Sequence, residues 1–132
     1  MAKVASIQLS SGPNIQANLL EVEKYLEQIS KTDAKLVVLP ENFALMPEND
    51  SEFLTHAESE GSGPIQDFIS DKAKVHKLWI IAGTIPVKTD NPKKVTSTTF
   101  VYNDRGEVIC RYDKVHLFDV ELPNSEESYN ES

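Results

Sequence analysis

From Lys3 to Leu9 the chain alternates, putting Ala5, Ile7 and Leu9 on one face, and this period of two predicts a strand. Ser10-Ser11-Gly12-Pro13 interrupts it as a turn, and Asn14 stands where a helix cap is needed. The period then lengthens. Ile15, Leu19, Val22, Leu26 and Ile29 recur every three or four residues and form one stripe of an amphipathic helix. Past a loop at Thr32-Asp33, Leu36-Val37-Val38-Leu39 is a continuous apolar run between Lys35 and Pro40. A strand buried on both faces reads this way, as in sheets covered by helices. Pro40 ends it, having no N–H for the ladder.

Periodicity fails from Phe43 to Gly63, which holds two apolar patches among many acids. The expected structure is a long excursion with one short helix, and loops of that length inside compact domains are often functional. Ser62-Gly63-Pro64 supplies cap and first-turn signals for a helix carrying Ile65, Phe68, Ile69 and Ala73. Leu78 to Gly83 is the next buried strand. Thr98 to Tyr102 and Glu107 to Tyr112 are β-rich runs joined by Asn103-Asp104-Arg105-Gly106, a hairpin signal in which the glycine takes a positive φ. The order strand, helix, strand, excursion, helix, strand, hairpin is an α/β layer arrangement that acquires antiparallel neighbours.

The length of 132 residues suits one domain, and a hydrophobic fraction of 39% argues against two cores. Thirteen basic against 21 acidic residues give a net charge of -8, which disfavours non-specific binding to nucleic acid or an anionic membrane. The longest apolar run, Leu78 to Ala82, is far too short to span a bilayer, and no secretory signal is visible. Cys110 is the single cysteine, so an internal disulfide is excluded and a reducing, cytoplasmic setting is expected. After His116 come Asp119, Glu121, Glu126, Glu127 and Glu131 with no Lys or Arg, the pattern of a solvated tail. Ser132 ends no helix or strand, so the chain reads as truncated.

Four polar residues invite a chemical explanation. Glu41 follows the strand that ends in Leu39-Pro40, and in open α/β sheets ligands meet the carboxyl ends of strands. It is a candidate general base, with a turn-capping acid as the plain alternative. Lys114 ends the one-face series Val108, Cys110, Tyr112, Lys114. Near a carboxylate it could orient that group or hold a developing anion; otherwise it is a solvated lysine. His116 follows two residues later, where a structural histidine is the commoner case. With His56 and His76 scattered and no cysteine pair, metal-ligand spacing is absent, so no metal is expected. Cys110 lies mid-strand, so burial and inertness are expected of it. Four residues of strand put it roughly 13 Å from Lys114, too far to share one reacting carbonyl.

These residues also carry a resemblance. Leu36-Val37-Val38-Leu39-Pro40-Glu41-Asn42-Phe43 resembles the first active-site segment of the nitrilase superfamily of carbon–nitrogen hydrolases. Arg111-Tyr112-Asp113-Lys114-Val115-His116-Leu117-Phe118-Asp119 resembles its second. Asn18-Leu19, Gly63-Pro64, Ile81-Ala82-Gly83 and Tyr129-Asn130-Glu131-Ser132 are further matches. The resemblance implies an α/β fold, a partial four-layer α-β-β-α sandwich of the nitrilase type. Residues 1–132 are then the amino-terminal part of the hydrolase domain, without the half that holds the catalytic cysteine.

The family chemistry so implied is hydrolysis of a non-peptide C–N bond in a small-molecule amide substrate, with no metal or organic cofactor. Glu41 corresponds to the general base and Lys114 to the lysine that holds the tetrahedral intermediate. Glu131 resembles the family's additional glutamate near the site, and His116 takes a supporting role. The wording from Asp113 to Asp119 leans toward the amidase branch that resembles deaminated glutathione amidase and omega-amidase. Family members suggest a homo-oligomer for the full-length protein, and half a sandwich should self-associate. The nucleophile of the family follows its lysine at a spacing that falls past Ser132, so this chain alone should not turn over. Two alternatives remain: a non-catalytic nitrilase-like binding or scaffold module, and an unrelated flavodoxin-like domain. The latter is disfavoured because Ser10-Ser11-Gly12-Pro13 makes a poor phosphate cradle.

Overall fold

The computed structural model describes residues 3–49 and 51–117. Among these residues six strands form one mixed sheet: β1 (Val4–Ser6), β2 (Leu36–Leu39), β3 (Trp79–Ala82), β4 (Ile85–Lys88), β5 (Val95–Tyr102) and β6 (Val108–Leu117). The helices are α1 (Ile15–Ser30), α2 (Ser51–His56) and α3 (Pro64–His76). β1, β2 and β3 are parallel neighbours. β5 runs antiparallel to β3, β4 and β6. Because β3 pairs with Val101 and Tyr102 and β4 with Val95 to Thr98, the two lie end to end along one edge of β5. Gly83 and Thr84 form the break between them.

α1 starts as its sequence requires: the Oδ1 of Asn14 accepts a hydrogen bond from the N–H of Ala17 at 3.0 Å. Its stripe of Leu19, Val22 and Leu26 packs with Ile65, Ile69 and Ala73 of α3 against Ile7, Val37, Leu39, Ile80, Ala82, Phe100 and Tyr102 of the sheet region. Burial in this core pushes the Tyr102 phenol pKa up, helped by the Glu58 and Asp67 charges. Asn18 is the buried exception on the stripe. It donates to the carbonyls of Gly12 and Ala44 and accepts from the N–H of Gly12, pinning the turn after β1 to the excursion.

Both helices lie on one face of the sheet, which corrects the expectation that β2 and β3 are buried on both. Along β2 only Val37 and Leu39 are buried, and along β3 only Ile80 and Ala82. Register places Val4, Leu36, Val38, Trp79, Ile81 and Val101 together on the other face, where Val4 is 58% and Trp79 39% exposed. Among the described residues no helix covers that face.

The excursion contains one short helix, as expected, yet it is anchored. Phe43, Ala44, Leu45, Phe53 and Ala57 are buried, and the Ser11 hydroxyl donates to the carbonyl of Phe43 at 2.7 Å. Pro64 occupies the first turn of α3 as read, but the capping oxygens come from Glu58 rather than Ser62. The Glu58 carboxylate, 5% exposed, accepts from the N–H groups of Ile65 and Gln66 at 2.6 and 3.1 Å and from the Gln66 side chain at 3.1 Å. A buried anion is tolerable there because the amino end of a helix offers unpaired donors and the positive end of its dipole.

β4 is absent from the pattern reading, since Pro86 argues against a strand. Its carbonyl faces Glu58, accepting from that residue's N–H at 3.1 Å. The missing N–H therefore falls on the side away from β5, where the ladder does not need it. The predicted hairpin is present, with Gly106 at φ 79° and the Gly106 carbonyl held by the Ser70 hydroxyl.

Candidate active site

Glu41 leaves the carboxyl end of β2 directly after Pro40, and Lys114 projects from β6 opposite Ser97. They meet: Lys114 Nζ donates to Glu41 Oε2 at 2.7 Å, with the side chains 40% and 53% exposed. Seventy-three positions separate the two in sequence. A pair this exposed contributes about 1 kcal/mol or less to stability, because water screens it and ordering two side chains costs entropy. The contact therefore depends on the backbone beneath it.

Under Glu41, Asn42 takes a left-handed conformation, φ 54°, which asparagine adopts more readily than most residues. Its N–H donates to Thr84 Oγ1 at 2.9 Å, and the Thr84 hydroxyl reaches Asn42 Oδ1 at 3.4 Å. The preceding Gly83 lies so close to the end of β2 that an added Cβ would sit 1.9 Å from the carbonyl oxygen of Pro40. The Gly83 carbonyl in turn accepts from Thr99 of β5 at 2.6 Å.

On the opposite face of β6 from Lys114, Arg111 and Asp113 hold the strand in register. Asp113 Oδ1 accepts from Thr98 Oγ1 and from Arg111 Nε, both at 2.8 Å. Arg111 also reaches Glu60 of the excursion at 2.7 Å and lies 5.9 Å from the Phe100 ring centroid. The hydrogen bonds from Arg111 and Thr98 lower the Asp113 pKa, with partial desolvation opposing them, and Asp113 raises that of Arg111.

Cys110 does not match its expectation: the thiol is exposed. It shares its face with Val101 and Tyr112, the side of the sheet that no described helix covers, and among the described residues β6 has only β5 beside it. The period-two pattern correctly separates the faces but does not say whether both are covered. Cys110 remains four strand residues from Lys114. The side chain of His116 and all of Glu131 lie outside the described residues. Among the described residues no three His, Cys, Asp or Glu gather as a metal site. A cleft of about 610 Å³ lined by Gln8, Leu9, Ser10, Ser11, Asn18, Glu21 and Tyr25 lies at the end of β1 and does not include the Glu41–Lys114 pair. Asn42, Thr84 and Thr99 were not singled out by the sequence; the only signal was a glycine closing an apolar run.

The carbon-nitrogen hydrolase family model matches residues 3–132. Deaminated glutathione amidase of Yersinia enterocolitica is 35% identical over 99% of this chain and 46% of its own length. The omega-amidase NIT3 of Saccharomyces cerevisiae is 39% identical over 92% of this chain and 44% of its own. The chain thus spans between about a third and a half of the length of the curated relatives it matches. The crystal structure of Saccharomyces cerevisiae Nit3, from branch 10 of the nitrilase superfamily, superposes with a TM-score of 0.78 at 30% identity, covering 99% of this chain and 48% of that one. That of the C. elegans NitFhit protein shares the fold, with a TM-score of 0.77 at 22% identity over all of this chain and 34% of that one. No described helix is long and apolar enough to cross a membrane. The chain belongs to the carbon–nitrogen hydrolase family of the nitrilase superfamily, within the amidase branch related to deaminated glutathione amidases and omega-amidases.

Proposed function

We propose that this chain supplies the general base and the lysine of an amidase that hydrolyses the C–N bond of a small carboxylic amide in the cytoplasm, and that the whole protein is a homo-oligomer. The observation that carries this reading is the 2.7 Å contact between Lys114 and Glu41, two residues from distant segments that meet at a strand end. A carboxylate so paired is held ready to accept a proton, and an ammonium beside it is held where an oxyanion can form.

In this mechanism Glu41 withdraws the proton of a cysteine thiol, and the thiolate attacks the amide carbonyl. Lys114 and a backbone N–H hold the resulting oxyanion while Glu41 passes its proton to the nitrogen, which leaves as ammonia or an amine. Glu41 then activates the water that cleaves the acyl-enzyme to the acid. His116 and Glu131 support the substrate or the base. The thiol comes from outside residues 1–132, in the half of the hydrolase domain that this chain does not contain. Cys110 stands on the strand of Lys114 at too great a distance to share one carbonyl with it.

The test is ammonia release from small amides of dicarboxylic acids by the whole protein and by its Glu41→Gln and Lys114→Met variants. Each substitution should lower kcat/KM by about a hundredfold or more, the usual scale for a positioned base or an oxyanion donor. Turnover by either variant at the wild-type rate, or by the isolated 132-residue chain, would overturn the reading. A whole protein that binds such amides without turning them over would instead mark a binding module.

A further inference from the structure

We infer that Thr84 is a positioning residue for the Glu41–Lys114 pair, acting through the backbone of Asn42; this rests on reading that pair as catalytic. Glu41 follows β2 and Lys114 lies on β6, strands that are not neighbours, since β3 and β5 lie between them. Their side chains are too exposed to fix one another. A hydrogen-bonded route through the protein joins the two backbones instead. Thr99 stands opposite Tyr112 on β6, two residues before Lys114, and its hydroxyl donates to the carbonyl of Gly83. Thr84 comes next and accepts the N–H of Asn42, the neighbour of Glu41.

The geometry points to the Thr84 hydroxyl as the group that matters. Its lone pair takes the N–H of a residue in left-handed conformation, and its own proton is directed at Asn42 Oδ1. Both contacts hold Asn42, the residue after Glu41, and the β-branch of threonine limits the hydroxyl to few rotamers. The close approach of Gly83 to the Pro40 carbonyl leaves the two segments no slack to drift apart. Without the acceptor, the Asn42 N–H loses its partner and the turn is free to rotate, carrying Glu41 away from Lys114.

Thr84→Val keeps the shape and removes the hydroxyl; Thr84→Ser keeps the hydroxyl. In the whole protein Thr84→Val should lower kcat about tenfold or more while KM changes less than about threefold, and Thr84→Ser should restore most of the rate, as displacement of a catalytic group predicts. In wild type the Asn42 amide should exchange its hydrogen slowly although its turn is near the surface. An unchanged kcat in Thr84→Val, a Thr84→Ser loss as deep as that of Thr84→Val, or fast exchange at Asn42 would overturn the inference. The exchange measurement decides the matter even if Thr84→Val does not fold. Parallel assays of Glu41→Gln and Lys114→Met separate the two levels. If those are inactive and Thr84→Val is not impaired, the positioning role alone fails; if they remain active, the catalytic reading fails first.

Discussion

At Gly83 the backbone turns with φ 35° against the carbonyl of Pro40, and a methyl group there would overlap it at 1.9 Å. Gly83→Ala should therefore cost about 3 kcal/mol or more, since neither the strained conformation nor the clash can relax without moving the end of β2. A urea titration of the variant would show it as a lowered midpoint, and an unchanged midpoint would mean that the two segments are not in contact. Asp113 makes a prediction in pH. Its folded pKa is lowered by Arg111, so its stabilising contribution is complete above the ordinary carboxylate pKa and is lost as pH falls through the lower folded value. Solvent screening keeps this to about 1 kcal/mol or less. Asp113→Asn should be less stable than wild type near neutrality, and the gap should narrow toward pH 3. A gap that is constant or widens in acid would contradict the assignment. Glu41 and Lys114 were legible in the sequence as candidates because one follows an apolar run and the other ends a one-face series, each inside a recognisable segment. Asn42 and Thr84 were not, because one left-handed φ and one hydroxyl acceptor leave no periodic trace. Cys110 was misread for a related reason, since a strand pattern distinguishes two faces without saying what lies over either.

Most elements followed from periodicity and punctuation, and the departures have local causes. α1 carries both its cap and its stripe in sequence. β1 is shorter than its alternating pattern, but Ile7 still donates to the carbonyl of Val38 and enters the core, so the face assignment holds past the strand. β4 was hidden by Pro86, whose donor-free side faces Glu58. The cap of α3 was hidden by distance, because Glu58 stands before the Gly61–Gly63 turn that brings it back over the helix. The consequence can be measured. Glu58→Ala leaves the N–H groups of Ile65 and Gln66 without that acceptor in a buried setting, and should destabilise the protein by about 3 kcal/mol. Glu58→Gln, which keeps one oxygen, should cost less. If calorimetry gave equal melting temperatures for Glu58→Ala and wild type, the carboxylate would not be the cap. Because Glu58 also pairs with β4, through its own N–H to Pro86 and its carbonyl to Lys88, loss of the cap should loosen that edge of the sheet with α3.

The molecule as a whole is covered on one side only within its described residues. Helices α1 and α3 shield one face of the sheet, while the other presents Val4, Leu36, Val38, Trp79, Ile81, Val101 and Tyr112 in various degrees of exposure. An apolar sheet face of that extent is normally buried against something, and open strands invite pairing with other chains. The matched relatives are about twice as long, so in such molecules there is chain enough to cover it. For the 132-residue chain studied alone, the expected consequence is self-association through this face. Trp79 is the only tryptophan and lies on it, so its fluorescence reports the process directly. Emission should shift to shorter wavelength as protein concentration rises, in step with an increase in sedimentation coefficient. Val4→Lys should oppose both changes by placing a charge where an apolar contact would form, while leaving the helix-covered core untouched. A chain that stays monomeric across that concentration range and unfolds in one cooperative transition would show that a single covered face suffices, and that the bare one is an ordinary surface.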